Sequence, residues 1–131
     1  MKRFLAAAGT ALALTVAGPA LAQDLAGTYQ TQLNDDGNFA HVRFAPCGQA
    51  WCGTMGRSFN GQGQPIESPH TGRALVWDMV PAGGGAYKSG KIWDPGADKT
   101  YRSKMQLEGN MLKVSGCIGP ICKSQSWKKV N

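Results

Sequence analysis

The chain has little of what most enzymes and carriers advertise in sequence. It has two histidines and only 8 acidic residues against 14 basic ones. No amphipathic helical period can be traced, and no apolar run follows the first two dozen residues. A helical bundle and a helical membrane protein are therefore excluded. There is no internal repeat, no low-complexity segment and no glycine-rich phosphate loop. No C-x-x-C pair is present either, which argues against a thiol oxidoreductase.

The N-terminus reads as a secretory signal. Lys2 and Arg3 precede the small and apolar run Phe4 to Ala17, Gly18-Pro19 break it, and Ala20-Leu21-Ala22 is an A-x-A cleavage site. The run is too short to span a bilayer, which takes about 20 apolar residues. The expected division is a signal peptide over 1-22 and one domain over 23-131, exported to the periplasm and not stably inserted in a membrane. Export makes nucleic acid an improbable partner. The modest excess of base after the leader suits a solvated surface or weak attraction to anionic envelope components. The sequence does not specify an oligomeric state.

The four cysteines fall in two matched pairs, Cys47/Cys52 and Cys117/Cys122, both spaced C-x4-C. An even count in an exported chain points to disulfides. Three connectivities are possible. The two local bridges are favoured because each segment can turn back on itself, Gly119-Pro120 being a turn signal. A four-thiolate zinc site would use the same residues, but structural zinc prefers closer spacing.

What remains is a glycine-rich series of short β-like runs: Leu25 to Gln32, Phe39 to Ala45, Trp51 to Arg57, Ala74 to Val80, Ala86 to Trp93, Thr100 to Leu107, Met111 to Cys117 and Cys122 to Val130. Short turns separate them, except for one long, irregular segment from Phe59 to Gly72. Short connections make consecutive strands antiparallel neighbours. Closure into a barrel removes the exposed edges. The expected fold is all-β, a small antiparallel eight-stranded meander barrel. Clean alternation places Val42, Phe44, Tyr101, Met105, Leu107, Leu112 and Val114 inside, with Arg43, Arg102 and Lys104 outside. The fourth and fifth runs are mixed on both faces and give no orientation.

The C-terminal half contains Gly90-Lys91-Ile92-Trp93-Asp94-Pro95, Lys99-Thr100-Tyr101, Leu112-Lys113-Val114-Ser115-Gly116-Cys117 and Cys122-Lys123-Ser124-Gln125-Ser126-Trp127. In their order and spacing these resemble an uncharacterised bacterial exported family, domain of unknown function 2147. Gly27-Thr28-Tyr29, Cys47 and Trp51-Cys52-Gly53 extend it through the N-terminal half. The resemblance implies a lipocalin-like barrel and an exported life, and no known reaction. Tyr29 stands where the family usually has tryptophan. Glu67 and His70 stand in the long segment where it favours Asp and Asn.

No catalytic constellation, metal site or cofactor is implied. Glu67 and His70, with Ser68 nearby, are the nearest thing to a reactive pair, but they read as solvated loop residues. Asp35, Asp36 and Asn38 resemble the start of a calcium loop and lack its later ligands. A hairpin turn accounts for them. The aromatics carry the ligand argument. Tyr29, Trp77, Tyr87, Trp93, Tyr101 and Trp127 lie on six strands. Converging in a barrel, they would wall a site for a small apolar molecule beneath the long segment, or simply fill the core. The alternative to a carrier is a non-enzymatic envelope protein of structural or interaction role with a filled core.

Overall fold

The computed structural model describes residues 25–131; the expected signal peptide lies outside the described residues. The strands are β1 (Gly27–Gln30), β2 (Phe39–Cys47), β3 (Ala50–Phe59), β4 (Pro65–Ile66), β5 (Ala74–Gly83), β6 (Ala86–Asp94), β7 (Lys99–Glu108), β8 (Met111–Ile118) and β9 (Ile121–Lys129). No helix occurs among the described residues. The hydrogen-bonded order is β2-β1-β9-β8-β7-β6-β5-β3-β4, and β2 also pairs with β3. That extra pairing closes an eight-stranded antiparallel barrel, with β4 as a short appendage. Closure follows from connectivity: β1 is held between β2 and β9, so neither end of the meander is left as an open edge.

The hairpins alternate between two ends. The connections after β1, β3, β6 and β8 form the mouth, and those after β2, β5 and β7 form the base. Leu25, fully buried, lies at the base end below β1, where its carbonyl accepts a hydrogen bond from Tyr29 Oη at 3.1 Å. β1 is shorter than the expected run from Leu25 to Gln32 at both ends.

The alternation expected for β2, β7 and β8 holds. Val42, Phe44, Met105, Leu112 and Val114 are buried, Leu107 packs against the core and Tyr101 is half-buried on the same face. Arg43, Arg102 and Lys104 are exposed. Turn chemistry is also local. Asn34 Oδ1 accepts from the backbone N–H groups of Asp36 and Asn38, so the acidic cluster is a hairpin turn.

The mixed faces of β5 and β6 have a physical cause. Asp78 and Ser89 both adopt positive φ, at 57° and 64°, and the β6–β7 register shifts between Tyr87 and Gly90. A bulge inserts an extra residue and reverses the facing of all that follows.

The segment from Phe59 to Gly72 is largely turn and irregular, as expected, but it is tied down along β3. Asn60 Oδ1 accepts from Gln62 N and Gln64 N, folding a tight turn. Pro65–Ile66 then pairs back onto Ser58 and Phe59 as β4. Gly72 N donates to Met55 O, and Met55 N to Arg73 O. Both ends are therefore hydrogen-bonded along β3, which fixes the segment to the barrel wall.

Candidate functional site

Four of the six candidate aromatics, Tyr29, Tyr87, Trp93 and Trp127, belong to one buried core cluster, and Trp77 packs against it. Tyr29 meets Phe44 edge to face at 5.5 Å, and Phe44 meets Trp127 at 6.3 Å. Trp127 Nε1 donates to Gln125 Oε1, so its one polar atom is satisfied. Tyr87 pairs in register with Met105 and is fully buried. These side chains fill the lower interior.

Trp93 is buried differently. Ile92 pairs with Tyr101 and with the fully buried Val76, so Ile92 faces inward and its neighbour Trp93 faces out. There the Arg73 guanidinium lies 3.4 Å above the Trp93 ring, His70 meets it edge to face at 5.0 Å, and its Nε1 donates to Asp98. The segment after β4 does cover an aromatic, but its own side chains occupy the place a ligand would take. Trp77 and Tyr101 are half-buried, and Trp77 packs against the buried core.

The interior leaves little space. A Cβ built on Gly53 would lie 2.9 Å from both Phe44 and Val42. One on Gly90 would lie 2.5 Å from Met79 Sδ and 2.8 Å from the Trp77 carbonyl. Glycine stands at these positions because large side chains from neighbouring strands cross them, as in a densely interdigitated core.

Two clefts open on the outer wall. One cleft of about 490 Å³ sits between β3 and the segment after it, lined by Arg57, Ser58, Glu67, Ser68 and Thr71, with β4 at its edge. His70 is turned toward Trp93, and its backbone N–H donates to Ser68 Oγ. Glu67 and His70 therefore serve a cleft wall and a packing contact respectively. A second cleft of about 320 Å³ opens at the β6 bulge and is lined by Lys88, Lys91, Arg102 and Lys104 with no carboxylate among its walls. No cluster of three or more His, Cys, Asp or Glu fit to hold a metal occurs among the described residues.

Both disulfides are local, Cys47–Cys52 and Cys117–Cys122. Each closes a hairpin turn, because the tight connections bring the strand ends together before any distant partner is available.

The profile of a bacterial family described as "Uncharacterized protein conserved in bacteria (DUF2147)" matches residues 27–129. The chain belongs to this family. The matched span runs from the start of β1 to the end of β9, so the family's domain is the closed barrel itself. No curated protein matches the chain. A solved structure, protein HP1028 from the human pathogen Helicobacter pylori, described as belonging to the lipocalin family, is similar at 22% identity with a TM-score of 0.67. The match covers 82% of this chain and 84% of that one, and at this identity it shows a shared lipocalin fold.

One cluster of this family member was not foreseen. Phe39 stacks on Phe59 at 5.1 Å, His41 lies 4.7 Å from Phe59, and Arg57 sits 5.7 Å from the same ring. Aromatics placed just after one Asn-rich turn and just before another were the available signal, but only the β2–β3 register joins them. Partial burial, and then the charge of Arg57, lower the His41 pKa from 6.5. Since the unfolded chain then binds the proton more readily, the contribution of His41 to stability is present above about pH 6.5 and declines as pH falls toward its folded-state value. His41 should titrate by NMR below 6.5, and Arg57→Gln should move its midpoint upward. A midpoint unmoved by that change would remove Arg57 as a cause.

Proposed function

We propose that this chain is an exported, non-enzymatic envelope protein that acts through its outer surface, with the barrel as a solid scaffold. The packed interior is the observation that carries this reading. Glycines 53 and 90 have no room for even a methyl group, and Tyr29, Phe44, Met79, Tyr87 and Trp127 are all buried in one core cluster, which supports a filled interior. Two hairpin disulfides and the N-terminal signal pattern support export.

A second reading, a carrier of a small apolar molecule, is favoured by one feature. Half-buried Tyr101 and Ile92 pair on the inner face of the mouth end, and the similar Helicobacter protein is described as a lipocalin. Native mass spectrometry of protein purified from periplasm separates the two. The expected spectrum shows the bare mature mass, and fatty or isoprenoid molecules produce no saturable 1:1 adduct. A retained apolar molecule released by Tyr101→Ala would replace this proposal with the carrier.

A further inference from the structure

The charge of the barrel is unevenly divided. From Ala86 to Asn131 nine lysines and arginines face three acids, whereas from Gln23 to Gly85 three face five. The basic half is the wall β6–β9. Its acids are engaged or distant from the mouth. Asp94 accepts from the backbone N–H groups of Gly96 and Ala97, Asp98 accepts from Trp93, and Glu108 lies at the base-end hairpin.

At the mouth end of the same wall the β8–β9 hairpin exposes two large apolar side chains. Ile118 is 68% and Ile121 70% exposed, and they are cross-strand partners at the tip. The Cys117–Cys122 bridge closes the ladder directly behind them. Arg102 fixes the tip from the side, its guanidinium donating to the Gly119 carbonyl. Arg102 and Cys117 also line the cationic cleft with Lys88, Lys91 and Lys104. An apolar point and an anion-seeking cleft therefore share one rigid frame.

We infer that the β6–β9 wall docks reversibly on an anionic lipid surface, with Ile118 and Ile121 entering the headgroup–acyl boundary and the cleft facing lipid phosphates. This rests on the surface-acting reading above and names its partner. Apolar burial with electrostatic attraction is the way peripheral proteins hold a bilayer. The bridged, braced tip loses little conformational freedom on insertion, which favours contact by so small a patch. A protein partner is less suited, because two isoleucines at one hairpin tip, with Arg102 beside them, leave no broad apolar face to bury.

The test is co-sedimentation of the chain from Gln23 onward, which contains every strand of the closed barrel, with vesicles of phosphatidylcholine alone or with phosphatidylglycerol added. Binding is expected only with phosphatidylglycerol and should weaken as salt rises. Ile118→Ser with Ile121→Ser, both solvent-exposed, should weaken it about tenfold or more. Lys91→Gln with Lys104→Gln should weaken it roughly 25-fold, at about fivefold per cation. Millimolar inorganic phosphate should not compete. Circular dichroism of each variant confirms the fold. Equal binding to neutral vesicles, no binding, or an isoleucine variant that binds like wild type would overturn the inference. So would heparin binding at matched affinity that ignores the isoleucines, which would indicate a soluble polyanion. A retained ligand in the native mass spectrum would instead overturn the surface-acting reading, so the two failures are told apart.

Discussion

Tyr29→Ala is expected to destabilise the fold by about 3–5 kcal/mol, the range for truncating a fully buried aromatic. The position amplifies the effect. β1 is the shortest barrel strand at 4 residues, and its ladder to β9 has only the pairs Tyr29↔Lys129 and Gln30↔Lys128. Backbone bonds between Thr28 and both Val130 and Asn131 complete the seam, and Tyr29 holds it from within through Phe44 and the Leu25 carbonyl. Domains of this size have only about 5–15 kcal/mol in total, so the loss corresponds to a fall in Tm of roughly 15–30 °C. Tyr29→Phe keeps the ring and loses the hydroxyl bond, and should cost about 1 kcal/mol. Urea melts followed by circular dichroism measure both. An alanine variant that loses less than the phenylalanine one would show that the seam is held by something else.

Removing both disulfides is expected to cost about 4 kcal/mol, roughly 2 from each. In the chain-entropy account a bridge stabilises by restricting the unfolded chain, and loops this short restrict it modestly. Each bridge joins cysteines separated by 5 positions. They lie at opposite ends of the barrel, on the β2–β3 and β8–β9 hairpins, so their effects should add. Urea midpoints of Cys47→Ser/Cys52→Ser, Cys117→Ser/Cys122→Ser and the quadruple variant test this. A quadruple loss well below the sum of the two pairs would mean the bridges are coupled through a shared unfolded-state structure. The Cys117/Cys122 pair has a second expected effect. Without it the Ile118–Ile121 tip loses its bracing, and vesicle binding should weaken even where the barrel stays folded.

The candidate site was less legible than the fold. Trp93 illustrates why. Its apolar size pointed to an interior wall, yet it is buried by Arg73 and His70, which reach it from the segment after β4. Nothing near Trp93 in sequence announces those partners. The cationic cleft was hidden for a similar reason. Lys88 and Lys91 lie on β6, Arg102 and Lys104 on β7, and as a sequence they read as scattered surface charges. The register Lys91↔Arg102 and the bulge at Ser89 bring them around one opening.

The sequence by itself determined the features that depend on a few adjacent residues. Period-2 alternation oriented β2, β7 and β8, asparagine and glycine chemistry placed the turns, and matched C-x4-C spacing fitted bridges within single hairpins. These follow from local backbone geometry, which neighbouring side chains specify. Tertiary structure alone decided which way β5 and β6 face, whether the aromatics meet, and where open space remains. The bulge at Asp78 shifts the register against β3 and the one at Ser89 shifts it against β7. The filling of the interior depends on side chains such as Met79 crossing Gly90 from a neighbouring strand. Such packing is a property of strands brought together by closure, and no stretch of the chain contains it.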